Sequence, residues 1–204
     1  MEIIKAKIKG IAPLLTHNGW LVDPRNVFTK EIDAAQKSLK KNRSDAAFEA
    51  LANCEWLGGL YTKTPIKFVR ENNQVDVTED AEICVTGDMI CRSIIKSAGR
   101  KEVTAFKAGV IVDGMFSLTV GGKVAKVKTL FKNPAHYFTV AAKIGQSKIM
   151  RTRPRFDDWS ANIEVAYIAE LVSKRDVQDA LVRSGSIVGI GDWRPRFGRF
   201  AVEF

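Results

Sequence analysis

Residues 162–204, NIEVAYIAELVSKRDVQDALVRSGSIVGIGDWRPRFGRFAVEF, decide the fold. Asn162 to Tyr167 alternates polar and apolar residues, the period-2 pattern of a half-buried strand. Ser173 then opens a helix with Asp176 at its third position, as in a capping box. Val177, Ala180 and Leu181 form the inner stripe of that helix, and Gly185 closes it. A glycine-rich turn leads into a last strand, Arg199 to Phe204. The tail therefore reads strand, helix, turn, strand.

The opening of the chain supplies the other half of the pattern. Met1 to Ala12 sets Ile4, Ala6 and Ile8 against Lys5, Lys7 and Lys9, again a strand with one solvated face. Thr86 caps a helix running to about Ala98, with Ile90, Ile94 and Ile95 on its buried side and Gly99 as its stop. Combined with the tail, this predicts an α+β fold with a β-α-β-β-α-β, ferredoxin-like core and an antiparallel sheet. Helices cover one face of such a sheet and leave the other open, as in RNA-recognition folds.

The remaining segments read as insertions into one domain spanning 1–204. Within 16–60, Glu31 to Leu39 and Ser44 to Leu57 have helical patterning, the second ended by Gly58-Gly59. Short strands follow at Ile66 to Val69 and Gln74 to Val77, around the Asn72-Asn73 turn, and at Ile83 to Val85. A second insertion, 100–132, contains β-prone runs broken by the hairpin dipeptides Asp113-Gly114 and Gly121-Gly122. Tyr137 to Met150 reads as one long strand with a bulge at Gly145.

Thirty-two Lys and Arg against 23 Asp and Glu give a net charge of +9, which favours polyanionic partners: nucleic acid, an anionic membrane surface or an acidic protein. The charge is concentrated in two blocks. Residues 189–200 hold three glycines, three arginines and three aromatics: Gly189, Gly191, Gly198, Arg194, Arg196, Arg199, Trp193, Phe197 and Phe200. Residues 143–155 hold Lys143, Lys148, Arg151, Arg153 and Arg155 and no acid, with Trp159 just beyond. On a strand Arg151, Arg153 and Arg155 share one face and suit successive phosphates. The alternative is that these arginines pair with Asp157, Asp158 or Asp192 and hold the turn together. Trp159, Trp193 and Phe197 are candidate base-stacking residues. Stacking contributes roughly 1–3 kcal/mol per base and burial a similar amount, so exposure decides between platform and core. The expectation is one cationic, aromatic-edged surface built from both blocks.

Val85-Thr86-Gly87-Asp88-Met89-Ile90-Cys91-Arg92-Ser93-Ile94-Ile95-Lys96 resembles the start of the first core helix of the RAMP superfamily of CRISPR-associated proteins, Cas7-like backbone subunits in particular. The opening strand and the glycine-rich segment before the last strand belong to the same resemblance. It implies a modified RNA-recognition fold and a non-enzymatic, cytoplasmic protein that oligomerises along single-stranded nucleic acid, RNA more readily than DNA. It also admits a compact phage-encoded relative, acting as an inhibitor or decoy of a CRISPR complex or as a virion interaction protein.

Enzymatic readings find little support. A Cas6-like endoribonuclease would use a histidine as acid and base, and of the two present, His17 in a loop is the candidate and His136 follows Pro134 at a strand start. There is no Walker loop, since Gly87-Asp88 lacks the Gly-Lys-Ser/Thr ending. Cys54, Cys84 and Cys91 form no C-x-x-C pair, so neither a metal site nor a cofactor is expected, and free thiols are. No stretch approaches the roughly 18 apolar residues of a membrane span, and the expectation is a soluble intracellular protein.

Overall fold

The computed structural model describes residues 1–144 and 147–204, with side chains for all of these except 143, 144, 147 and 148. In chain order the strands are β1 (Glu2–Gly10), β2 (Leu14–Leu15), β3 (Phe68–Glu71), β4 (Gln74–Val77), β5 (Cys84–Thr86), β6 (Val110–Ile111), β7 (Met115–Ser117), β8 (Thr119–Val120), β9 (Lys123–Val124), β10 (Tyr137–Ile144), β11 (Ser147–Phe156), β12 (Trp159–Tyr167) and β13 (Phe200–Glu203). The α-helices are α1 (Val27–Lys41), α2 (Asp45–Gly58), α3 (Gly87–Ser97), α4 (Val103–Gly109), α5 (Val127–Leu130) and α6 (Lys174–Arg183). The chain forms two compact units. The first comprises Met1–Leu15, Cys84–Ala125 and Phe156–Phe204, and the second Thr16–Ile83 and Lys126–Arg155.

The first unit has an antiparallel sheet in the order β13-β1-β12-β8-β9, with β6 also paired to β12. Taken with α3 and α6, the order along the chain is β1, α3, β6 and β8, β12, α6, β13, which is the ferredoxin-like arrangement expected. The register sets Ile4 opposite Val165, Ala6 opposite Ile163 and Ile8 opposite Ala161, and all six are buried. Ile90 and Ile94 of α3 and Val177 and Leu181 of α6 are fully buried, and the two helices pack together. The caps are those the sequence signals: Thr86 Oγ1 accepts from the Met89 N–H at 3.4 Å, and Ser173 Oγ accepts from the Asp176 N–H at 3.2 Å.

In the second unit α1 packs on α2, and Phe28 stacks on Phe68 of the β3–β4 hairpin with ring centroids 4.9 Å apart. Fully buried Trp56 of α2 stacks on Tyr137 at 5.3 Å and donates from Nε1 to the His136 carbonyl at 2.7 Å. Tyr137 OH in turn donates to Asn53 Oδ1 at 2.8 Å, so α2 is fixed to the start of β10.

Three expectations are corrected. The long strand at Tyr137 to Met150 is instead a hairpin, β10 paired with β11 from Tyr137↔Pro154 to Ile144↔Ser147; the bulge expected at Gly145 lies outside the described residues. Continuous β-propensity conceals a reversal, because both arms have strand composition. Residues 103–109 form a helix, since Val103, Phe106 and Val110 recur at helical spacing and the last two are buried. Gly121-Gly122 does join the β8–β9 hairpin, but Asp113-Gly114 does not close one between its neighbours: β7 pairs with β5, and the Gly114 carbonyl accepts from the Gly87 N–H at 2.9 Å.

Glycine is required most severely at 198, where φ is +74° and an added Cβ would lie 1.7 Å from the Ile190 carbonyl oxygen. Gly121, at φ +56°, has nothing within 4 Å of such a Cβ. We expect Gly121→Ala to cost about 1–2 kcal/mol, the left-handed penalty alone. Gly198→Ala should cost more, roughly 4 kcal/mol. Urea unfolding of the two variants side by side checks the difference.

Candidate nucleic-acid interface

In the first unit the segment after α6 returns to β13 through a loop whose backbone is fixed by hydrogen bonds to itself, to Pro13 and Leu15, and to Ser93 of α3. Gly189, Gly191, Trp193 and Gly198 have φ of 73°, 79°, 53° and 74°. The Ile190 N–H donates to the Gly198 carbonyl at 2.9 Å, the Gly198 N–H to Pro13 at 2.8 Å and the Asp192 N–H to Leu15 at 2.8 Å. Buried Ser93 of α3 donates from Oγ to the Gly189 carbonyl at 2.8 Å. The three glycines therefore serve close packing of the chain on itself: Cβ atoms at 189, 191 and 198 would meet Gly198, Leu15 and Ile190 respectively.

Burial of Phe197 at 7% exposure pulls the loop inward and turns Arg194, Arg196 and Arg199 to solvent. Among the described residues none of these three forms an ion pair with a carboxylate. The Arg196 guanidinium lies 5.4 Å from the Phe197 ring centroid, while Asp192 Oδ1 accepts from the Trp193 N–H at 3.0 Å. Trp193 is 37% exposed and presents part of its ring beside the arginines.

On the open sheet face of this unit the aromatics stand at the margin, where Phe116 and exposed Phe204 line a concavity with Lys5, Lys7, Asn162 and Glu164. The exposed positions of that face on the two central strands are Ile3, Lys5, Lys7, Lys9, Asn162 and Glu164, with no aromatic among them. Lys5 pairs with Glu164 at 3.4 Å, and Lys7 stands between Asn162 and Glu203 in register. Charges of both signs alternate there.

The second unit contains a cavity of about 450 Å³ that brings His17, Arg151 and Arg153 together. One wall is a stripe of α1, Thr29, Ile32, Asp33 and Gln36, spaced i, i+3, i+4, i+7. The facing wall comes from the β10–β11 hairpin, and Leu21 and Val22 close one side. Glu55 of α2, only 6% exposed, accepts from Arg151 Nη1 at 2.5 Å and from the Thr152 N–H at 2.7 Å. Burial raises the Glu55 carboxyl above its ordinary pKa, and the Arg151 hydrogen bond pulls it back down. His17 is exposed; its carbonyl accepts from Tyr61 OH at 3.3 Å, and Tyr61 OH also accepts from the Gly19 N–H at 3.0 Å.

The sequence-derived residues divide accordingly. Arg151, Arg153 and Arg155 are half-buried on one face of β11 in the second unit. Arg155 lies 6.0 Å from the Phe138 ring, and its carbonyl contacts His136 Nδ1 at 3.1 Å. Arg194, Arg196 and Arg199 belong to the first unit. The side chain of Lys148 lies outside the described residues.

Trp159 is corrected from a stacking candidate to core: it is fully buried, its Nε1 donates to the Ala12 carbonyl at 2.9 Å, and its ring meets Phe200 edge-on. Phe197 is corrected likewise. Sequence reasoning missed Glu55 and Tyr61. The signal for Glu55 was a lone carboxylate inside the apolar run Leu51–Leu57, which demands a buried cation. Cys54, Cys84 and Cys91 are free thiols, and burial pushes Cys54 up to about 11, leaving it unreactive.

Among the described residues no helix is long and apolar enough to cross a membrane, and no group of three or more metal-ligating side chains gathers. No family model matches the chain, and no curated protein matches it. Among solved structures it is similar to the crystal structure of Cmr6 from Pyrococcus furiosus, with a TM-score of 0.38 and 9% identity over 98% of this chain and 97% of that one. A likeness at that level fixes neither family nor function.

Replacing Arg151 by Met leaves the Glu55 carboxylate buried without its cation, and we expect a loss of about 3 kcal/mol at neutral pH. Because the Glu55 pKa is raised, its ionised form is the disfavoured one, so the loss should shrink as pH falls toward and below 4.5, where protonation removes the charge. Urea unfolding of both proteins across that range measures it.

Proposed function

We propose that the chain is a non-enzymatic protein that binds single-stranded nucleic acid, RNA in preference to DNA, and assembles side by side along the strand. The observation that carries this reading is the loop of the first unit, where Arg194, Arg196 and Arg199 are exposed on a backbone fixed by its own hydrogen bonds. A hydrogen-bonded backbone loses little freedom when its side chains meet phosphates, and the planar forks of arginine match phosphate geometry. Half-exposed Trp193 offers a ring that stacks on a base without regard to its identity. The net charge of +9 favours encounter with a polyanion. Preference for RNA and assembly along it follow the Cas7-like resemblance, which the ferredoxin-like topology of the first unit accommodates.

Each phosphate neutralised on a single strand contributes about 0.7 to the slope of log affinity against log salt. The Arg194→Ala, Arg196→Ala, Arg199→Ala variant should therefore lose about 2 from that slope and bind an unstructured oligonucleotide far more weakly. Fluorescence anisotropy over a salt series reads both. An unchanged slope in the variant refutes the assignment of these arginines. Light scattering with strands of increasing length should show particle mass rising in steps of one protomer.

One observation favours a second reading, a Cas6-like endoribonuclease: His17 lines the same cavity as Arg151 and Arg153, and the Tyr61 hydroxyl stands beside it. An imidazole supplies acid–base catalysis and the guanidiniums steady the phosphate in such chemistry. Incubating RNA with the wild type and His17→Ala decides it: metal-independent cleavage lost in the variant would establish the nuclease, and equal or absent cleavage removes it.

A further inference from the structure

We propose that the cavity of the second unit is a nucleotide pocket selective for guanine, so that the strand is read at one base as well as held by its backbone. The inference rests on the strand-binding reading above but on different residues. At about 450 Å³ the cavity lies within the range of small-ligand sites, roughly 300–1,000 Å³. Its two walls have opposite chemistry. Arg151 and Arg153 stand on β11, and although Glu55 occupies Arg151 Nη1, a guanidinium has five N–H donors and keeps others for a phosphate. The facing α1 stripe presents the Asp33 carboxylate and the Gln36 amide, with Ile32 and Leu21 as apolar surface for a ring.

The carboxylate sets the choice of base. Ionised Asp accepts only, through two adjacent oxygens. Guanine alone among the four bases presents two neighbouring donors on its pairing edge, N1–H and the N2 amino group. Uracil flanks its single N–H with carbonyl oxygens that repel a carboxylate. Adenine and cytosine set one amino donor beside a ring acceptor. The Gln36 amide supplies a donor suited to guanine O6. Asp33 is exposed on α1 and has no hydrogen-bond or ion-pair partner among the described residues, so its oxygens are available to a ligand.

The test uses the full chain and calorimetry with GMP, AMP, CMP and UMP. A second arm compares a ten-nucleotide oligouridine with the same strand carrying one guanine. The wild type should bind GMP about tenfold or more tightly than the other three nucleotides, the discrimination a bidentate base contact gives. It should also prefer the guanine-containing strand. Asp33→Asn, a change at an exposed helical position, should abolish both preferences, because an amide replaces one acceptor with a donor. The Arg194→Ala, Arg196→Ala, Arg199→Ala variant should lose strand affinity yet keep its preference for GMP. Equal binding of the four nucleotides, or a preference that survives Asp33→Asn, overturns the pocket while leaving strand binding intact. Failure of both strands to bind overturns the strand-binding reading, and the mononucleotide arm then decides the pocket by itself.

Discussion

The backbone between Gly189 and Gly198 packs on itself and on Pro13 to Leu15 too closely for side chains, and the first unit is organised around that approach. Peptide groups of the loop bond to Pro13, Leu15 and one another, while Ser93 reaches up from the first core helix to hold Gly189. The left-handed positions at 189, 191 and 198 make this possible, and Phe197 secures it by burial. With Ile190 and Phe197 turned inward, Arg194, Arg196 and Arg199 are left on the solvent side of the loop. The cationic surface is a by-product of how the last helix returns to the last strand.

Electrostatics separates this surface from the rest of a basic protein. Part of the lysine charge in the second unit is answered locally: Lys63 by Glu82, Lys67 by Glu79 and Lys132 by Asp76, all within 2.8 Å. Exposed pairs of this kind add little stability, typically under about 1 kcal/mol each, but they flatten the field around them. The sheet face behaves similarly, with Lys5 against Glu164. Among the described cations of the first unit that form no ion pair, Arg194, Arg196 and Arg199 stand out by being gathered on one loop beside the Trp193 ring. Arg151 has a different task, since it compensates a carboxylate sealed beneath it and shapes a cavity at the same time.

Much of the fold was legible in local patterns. The alternation in β1 and β12, the Thr86 and Ser173 caps and the glycine stops specify elements without reference to distant contacts, and together they predict the β-α-β-β-α-β succession. What was hidden depended on partners far along the chain. The reversal between β10 and β11 sits inside one continuous β-prone run. The helical spacing of Val103 and Phe106 in α4 is masked by the β-prone composition around it. Trp193 lies exposed, whereas Trp159 looked identical in sequence and is core, its indole N–H bonded to the carbonyl of Ala12, 147 positions away. The partner of Arg151 was sought among nearby aspartates and lies instead at Glu55, 96 positions away. Charge type can be read from a sequence, but charge pairing across long separations cannot.

The central claim is that a preformed arginine loop meets the strand. Ultraviolet cross-linking of a thiouridine-substituted single strand, followed by peptide mapping, tests it directly. Adducts on the peptide containing Trp193 to Arg199 are the predicted result. Adducts confined to the open sheet face around Lys5 and Lys7, or to the outer surfaces of α3 and α6, would contradict it.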